Sequence, residues 1–184
     1  MRVTGGTARG QLLKVPRNFE IRPTTDRVRE AVFSMLGSLL LKWQRCLDLF
    51  AGTGALGIEA LSRGMEWADF VDKDRRCCDI IGQNLEKIGF RSHSRIYCED
   101  ASEILWSLQE KYDCIFMDPP YADTSTESVL EEVGDTGILN QGAILVVSHS
   151  SRVQFNEAYA KLALIKAKHY GDSSISIYRA EVTS

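Results

Sequence analysis

The chain has 184 residues, 44% of them hydrophobic and 26% charged, with a formal net charge of −3. That size and composition suit one soluble globular unit and leave no room for two full domains and a linker. No apolar run approaches the length of a membrane span and the opening Met1-Arg2-Val3-Thr4-Gly5-Gly6 has no apolar signal core, so a cytoplasmic protein with no membrane partner is expected. Five cysteines, at 46, 77, 78, 98 and 114, form no C-x-x-C pair, and His93, His149 and His169 are scattered, which predicts buried reduced thiols and no metal.

The charge is unevenly spread. Residues 1–29 carry Arg2, Arg9, Lys14, Arg17, Arg22, Arg27 and Arg29 against Glu20 and Asp26, a net of +5, which leaves −8 for the remainder. A basic segment on an acidic body suggests contact with a polyanion, with a solvated basic surface as the alternative. Glycines at 5, 6 and 10 followed by Gln11-Leu12-Leu13-Lys14-Val15-Pro16 read as a small hairpin or arm, an extension rather than a domain. Arg22-Pro23-Thr24-Thr25-Asp26 then offers a pre-proline residue and a choice of helix caps. The stripe Val28, Ala31, Val32, Met35, Leu36, Leu39, Leu40 predicts a helix with one buried face, leaving Arg27, Arg29 and Glu30 on the other. A helix just before the first strand can close a ligand pocket from above, which would put Arg22, Thr24 and Asp26 at its mouth; a solvated capping turn is the competing reading.

Residues 46 to 57, Cys-Leu-Asp-Leu-Phe-Ala-Gly-Thr-Gly-Ala-Leu-Gly, read as strand, tight turn and helix. Gly52 and Gly54 permit close approach of a ligand to the backbone, and Gly57 permits close packing of helix on strand. The spacing alone does not separate a dinucleotide from other adenosine-bearing cofactors. Asp48, on the strand before the glycines, favours a cationic or hydroxyl-bearing ligand over a pyrophosphate, which it would repel.

A second strand, 67–71, runs into Asp72-Lys73-Asp74; Asp72 follows the first glycine by about twenty positions, where a carboxylate can accept from ribose hydroxyls, with Lys73 or Asp74 able to share the task. A helix over 75–88 stops at Gly89. The strand 95–98 ends in Glu99-Asp100-Ala101, where Asp100 suits either an adenine amino group or the N-cap of a helix over 102–110, and Ala101 offers a backbone N–H to the ring. The buried strand 112–117 leads into Asp118-Pro119-Pro120-Tyr121, a rigid turn at the carboxyl end of a central strand, where open α/β sheets bind ligands. The last third predicts a helix over 127–133, a strand over 143–147, a short helix over 153–159 and a closing strand pair, 162–170 and 174–178, around Gly171-Asp172. Alternating strands and helices ending in a hairpin make a parallel sheet with an antiparallel edge.

The Gly loop, the two strand-end acids and Asp118-Pro119-Pro120-Tyr121, in this order on successive strands, resemble class I S-adenosylmethionine-dependent methyltransferases, and the tetrapeptide resembles their amino-methylating branch. With Thr4-Gly5-Gly6, Arg9-Gly10, Arg22 to Glu30, Leu47 to Gly57 and Glu59-Ala60-Leu61-Ser62-Arg63-Gly64, the chain is similar over nearly its full length to the bacterial 16S ribosomal RNA guanine-N2 methyltransferase family. The resemblance implies a Rossmann-like α/β fold, a seven-stranded mostly parallel sheet with an antiparallel C-terminal edge strand and a small N-terminal hairpin extension, forming one domain with an arm over 1–25 and a core over 26–184. It implies S-adenosylmethionine as cofactor, held by Asp48, Phe50, Ala51, Gly52, Thr53, Gly54, Asp72, Lys73, Asp100, Ala101 and Asp118. It implies catalysis by Asp118, Pro119 and Tyr121 and methylation of guanine-966 of 16S rRNA in the small ribosomal subunit or its assembly intermediate. The arm, through Arg9, Lys14, Arg22, Thr24 and Arg27, would contact RNA, and a monomer is expected.

Two departures stand out: the strand-two acid is Asp72 where the family leads one to expect glutamate, and the region after Tyr121 matches loosely, so no substrate residue is assigned there. Adenine-N6 and glutamine-amide methylation use related turns and remain chemically open. Carbon-5 pyrimidine methylation does not, because no proline here precedes a cysteine nucleophile. A noncatalytic RNA-binding assembly factor and an NAD oxidoreductase are the readings from other classes; the paired Gly loop and tetrapeptide argue against the first, Asp48 against the second.

Overall fold

Continuous apolar runs alternate with amphipathic helices, and the chain folds as that alternation dictates. The computed structural model describes residues 1–16, 26–39, 42–120 and 123–181. In chain order it places α1 at Asp26–Leu39, β1 at Arg45–Leu49, α2 at Ala55–Ser62, β2 at Trp67–Val71, α3 at Arg75–Ile88, β3 at Ser94–Tyr97, α4 at Ala101–Leu105, β4 at Tyr112–Met117 and α5 at Thr126–Asp135. β5 at Leu139–Ser150, β6 at Ala158–Tyr159, β7 at Leu162–Tyr170 and β8 at Ser173–Ala180 complete it. One sheet has the order β3-β2-β1-β4-β5-β8-β7-β6. β3, β2, β1, β4 and β5 pair in parallel, while β8 is antiparallel to both β5 and β7.

The parallel strands are buried because helices cover both faces. On one face α1, α2 and α3 pack Val32, Phe33, Ile58 and Ile81 against Cys46, Phe70, Cys114 and Phe116. On the other, α4 and α5 pack Ile104, Leu105 and Leu130 against Leu47, Leu49, Ile115 and Met117. α3 carries the expected stop at Gly89, which takes a left-handed φ of 87°, and its N-cap is Asp74, read from the sequence only as a ribose candidate, whose side chain accepts from Arg76 N at 2.9 Å.

The antiparallel part is larger than a single edge strand. The C-terminal strand β8 lies inside it, between β5 and β7, and the two-residue β6 forms the edge beside the seven longer strands. The helix expected over 153–159 does not form. There Tyr159 is buried and pairs with Leu162 of β7, and Tyr178 Oη donates to the Asn156 carbonyl at 2.9 Å, so tertiary contacts hold that stretch extended. α4 is shorter than expected, ending at Leu105, and β5 is longer, running from Leu139 to Ser150.

The N-terminal hairpin is present as one bridge, Arg2 to Leu12, with Gly10 N donating to the Val3 carbonyl at 2.8 Å. It is docked rather than free. Val3, Ala8 and Leu13 are buried in the α1–α3 core. Ala8 N donates to Ser62 Oγ at 2.9 Å, and a Cβ on Gly6 would lie 1.8 Å from the Ser62 carbonyl oxygen, so only glycine fits there. Glu59 of α2, wholly buried, accepts from Thr4 N and Thr4 Oγ1 and from Arg63 Nε, each at 2.8 Å.

Arg29 corrects the helical-face expectation, because it is wholly buried rather than solvated. It donates to the Arg2 carbonyl and to Asp26 Oδ1, and its Nε lies 3.8 Å from Glu59 Oε2. Buried charges are kept only where partners repay their desolvation, and here the partners come from the arm, α1 and α2 at once. Glu59→Ala removes the carboxylate that neutralises this cluster and is expected to cost about 3–5 kcal/mol, read as a lowered urea midpoint; a loss below about 1 kcal/mol would show that the pair does not hold the arm to the fold.

Candidate active site

The loop between β1 and α2 is built around a capping problem. α2 begins after Gly54, which has φ 75° and no side chain to cap the helix. Asp48 supplies the cap from the neighbouring strand: its Oδ2 accepts from Gly57 N at 2.8 Å while the residue is 99% buried. Burial raises the Asp48 pKa well above the ordinary carboxylate range, the Gly57 N–H opposes that rise, and the charges of Asp118 and Asp72 add to it. Three carboxylates thus feel one another at the carboxyl ends of β1, β2 and β4.

Gly52 and Gly54 have φ of 57° and 75°, and Phe50 takes φ 59° although it is not glycine. Such a backbone at the end of a central strand is strain of the kind found at ligand sites. Gly57 serves packing: a Cβ there would lie 2.3 Å from Phe70 Cε1. Asp72 binds the loop from β2, with Oδ2 accepting from Gly52 N and Oδ1 from Asp74 N, both at 2.8 Å.

At the end of β3, Asp100 takes the capping role: Oδ1 accepts from Ser102 N at 3.1 Å and Ser102 Oγ at 2.9 Å. Its Oδ2 lies 3.9 Å from Lys73 Nζ, so Lys73 bridges the ends of β2 and β3. Ala101 is buried as the first residue of α4. Met117 pairs with Leu49, which brings half-buried Asp118 out of β4 level with Phe50, beside the Gly loop; Pro119 is buried and Pro120 exposed. The turn then continues through Asp123, whose N–H donates to the Pro120 carbonyl and whose carboxylate, held low by the Ser125 hydroxyl, accepts from Ser125 Oγ at 2.6 Å.

Tyr121, Arg22 and Thr24 lie outside the described residues. Arg9, Lys14 and Arg27 are exposed, Lys14 Nζ donating to Gln83 Oε1. Asp26 does not point to a ligand: it pairs with Arg29 at 2.8 Å and Arg2 at 3.5 Å. The sequence pattern passed over Asn84, a wholly buried amide that bonds the Thr53 carbonyl from α3. Its signal was a polar residue on the apolar stripe Ile81, Leu85, Ile88.

The donor set fits S-adenosylmethionine: a carboxylate group suits its cationic sulfonium and ammonium centres, strand-end acids suit its ribose, and glycines allow its close approach. Asp48→Asn keeps an acceptor for Gly57 N–H and removes a buried charge. A raised folded-state pKa means the ionised form is penalised in the native state, so the wild type loses stability as pH rises above the ordinary carboxylate value. The variant is expected to melt at or above the wild-type temperature at pH 7.5, with a margin that shrinks as pH falls toward 4, while its S-adenosylhomocysteine affinity drops at least about tenfold. Thermal scans across pH and calorimetry check both; unchanged affinity would remove Asp48 from the cofactor site.

With this geometry in place, the comparisons are direct. The family model described as Conserved hypothetical protein 95 matches residues 1–179. YlbH of Bacillus subtilis (strain 168), named as a candidate rRNA methyltransferase, is 35% identical over 182 residues, covering 97% of this chain and 98% of its own. Ribosomal RNA small subunit methyltransferase D of Escherichia coli (strain K12) is 33% identical over 181 residues, covering 98% and 90%. The solved structure of YhhF, a candidate methyltransferase of Escherichia coli, superposes with a TM-score of 0.87 at 32% identity over 100% of this chain and 99% of that one. The chain therefore belongs to the Conserved hypothetical protein 95 family, whose named members include rRNA methyltransferases, and it is a class I methyltransferase with S-adenosylmethionine as its cofactor.

Proposed function

We propose that this enzyme methylates the exocyclic N2 amino group of a guanine in 16S rRNA, at position 966, on the small ribosomal subunit or an assembly intermediate. The observation that carries the reading is the placement of Asp118-Pro119 at the end of β4, beside the Gly loop. The name of the Escherichia coli relative, a small subunit rRNA methyltransferase, supports the substrate class.

In this reading Asp48, Phe50, Ala51, Gly52, Thr53 and Gly54 hold the methionine end of the cofactor, Asp72 and Lys73 its ribose, and Asp100 and Ala101 its adenine. When bound, S-adenosylmethionine supplies an electrophilic methyl group on sulfur. The chain's residues make the acceptor competent. An amino group on a base is a poor nucleophile because its lone pair is delocalised into the ring. A carboxylate oxygen of Asp118 and the Pro119 carbonyl accept its two N–H bonds, which favours a pyramidal nitrogen and aims the lone pair at the methyl. Tyr121 stacks on the extruded base, worth roughly 1–3 kcal/mol, and offsets part of the few kcal/mol that extrusion costs. The amino proton is lost after transfer, so Asp118 need not be a strong base.

Transfer of labelled methyl to small subunits that lack their own modification, followed by nucleoside analysis, is expected to yield N2-methylguanosine; label in N6-methyladenosine or in protein would overturn the assignment. Asp118→Ala is expected to lower kcat by roughly 10²–10³ with little change in cofactor affinity. Charge reversal at Arg9, Lys14 and Arg27 together is expected to weaken RNA binding and reduce the slope of log K against log salt by about 2–3. A slope that stays put would show that the arm is not the RNA contact.

A further inference from the structure

Asn84 is a wholly buried amide on α3 whose three hydrogen bonds leave the helix altogether. Its Oδ1 accepts from Lys14 N at 2.7 Å, and its Nδ2 donates to the Lys14 carbonyl at 3.1 Å and to the Thr53 carbonyl at 3.0 Å. One side chain therefore joins the N-terminal arm to the middle residue of the Gly loop. Two further residues of α3, Gln83 and Lys87, bind the arm: Gln83 through Lys14 Nζ at 2.8 Å, Lys87 by donating to the Leu12 carbonyl at 2.7 Å. A second link runs in parallel, Thr53 Oγ1 lying 3.4 Å from Met1 Sδ.

Thr53 sits between Gly52 and Gly54, both in the left-handed region. The Thr53–Gly54 peptide plane, flanked by two glycines with little steric restriction of their own, is held by hydrogen bonds at both sides, Gly54 N donating to the Ala51 carbonyl at 2.7 Å and the Thr53 carbonyl accepting from Asn84. The Asn84 donor fixes its carbonyl, and Asn84 itself is fixed by the arm. A buried amide with all three bonds made is rigid; with the arm lifted, two of the three are lost and the remaining polar atoms are left buried without partners.

We propose that Asn84 is a positioning residue that couples docking of the basic arm to the cofactor-ready shape of the Gly loop, so that cofactor binding and seating of the arm each strengthen the other. The inference rests on the cofactor lying against the Gly loop. Linkage then requires that whatever affinity the cofactor gains from a docked arm, the docked arm gains from the cofactor. For an enzyme whose arm meets RNA, a loaded cofactor site would present a firmly seated basic surface, and an empty one a looser surface.

The test needs no RNA. Trypsin cleavage after Arg9 and Lys14 reports arm undocking, and calorimetry reports S-adenosylhomocysteine affinity. In the full-length wild type, saturating S-adenosylhomocysteine is expected to slow cleavage about tenfold. Asn84→Asp keeps the shape and the acceptor for Lys14 N but loses both donations; it is expected to bind S-adenosylhomocysteine about tenfold more weakly and to lose the ligand-dependent protection. Lys14→Pro deletes the Lys14 N–H bond to Asn84 together with the Nζ bond to Gln83 and the cleavage point after residue 14, so its undocking is read at Arg9 alone; cleavage there and S-adenosylhomocysteine affinity are expected to shift in the same direction as in Asn84→Asp. If Asn84→Asp speeds cleavage yet keeps wild-type affinity and protection ratio, Asn84 merely anchors the arm and the coupling is wrong. Should Asp48→Asn weaken S-adenosylhomocysteine binding while both variants here leave it unchanged, the cofactor site stands and this inference alone falls; if none of the three weakens it, the placement of the cofactor falls as well.

Discussion

The hydrogen bond from Gly57 N to the buried Asp48 carboxylate is the joint on which the site depends. An eight-residue helix such as α2 has little stability of its own, and a glycine at its cap position cannot satisfy its first N–H groups. The strand satisfies one of them, that of Gly57, at the cost of burying a carboxylate. Gly57 then packs on Phe70 because nothing larger fits, and two residues further along the same helix Glu59 gathers Thr4, Arg29 and Arg63. α2 is thus pinned at its start to β1 and near its end to the arm by two buried acids. The Gly loop inherits its geometry from both.

This division explains what the N-terminal charge is for. Of the seven cations in residues 1–29, Arg29 is consumed inside the fold beside Glu59 and Arg2 is paired with Asp26, so the count of cations overstates what a partner can meet. Arg9, Lys14 and Arg27 are exposed and face outward. The arm is accordingly both a structural strap and a candidate contact surface, with different residues carrying each task.

The elements that were legible in the sequence are those where local pattern and tertiary need coincide. The buried strands and α3 read correctly because runs such as Tyr112 to Met117 have no alternative to burial, and because Gly89 marks the helix end by its own chemistry. Arg29 misled because a helical wheel records polarity and not the partner waiting across the interface. The stretch 153–159 misled because its helical spacing of apolar residues is spent instead on an aromatic cluster, in which Tyr159 meets Phe155 and Tyr178 edge-on. Asp100 was open between two roles on spacing alone, and the Ser102 N–H settles how one of its oxygens is used. Asn84 showed only as a polar residue on an apolar stripe, and what it binds was hidden for a related reason: its three partners are backbone groups 31 and 70 residues away, and backbone carries no sequence signal.

The opposition of charge between pocket and arm bears on selectivity. Burial is the larger cause of the upward shift of Asp48, and the charges of Asp118 and Asp72 add to it, so the carboxyl ends of the central strands disfavour further negative charge. A phosphate entering there meets repulsion, and the Gly57 and Arg76 N–H groups in the first turns of α2 and α3 are already bonded to Asp48 and Asp74. A neutral base carries no such penalty. On the function proposed above, an RNA would keep its phosphates against Arg9, Lys14 and Arg27 and admit only an extruded base to the acids, so that the electrostatics that favour a cationic cofactor would also sort the parts of the substrate between the two surfaces. The same field disfavours a pyrophosphate-bearing dinucleotide, which separates this Gly loop from the oxidoreductase loops whose spacing it shares.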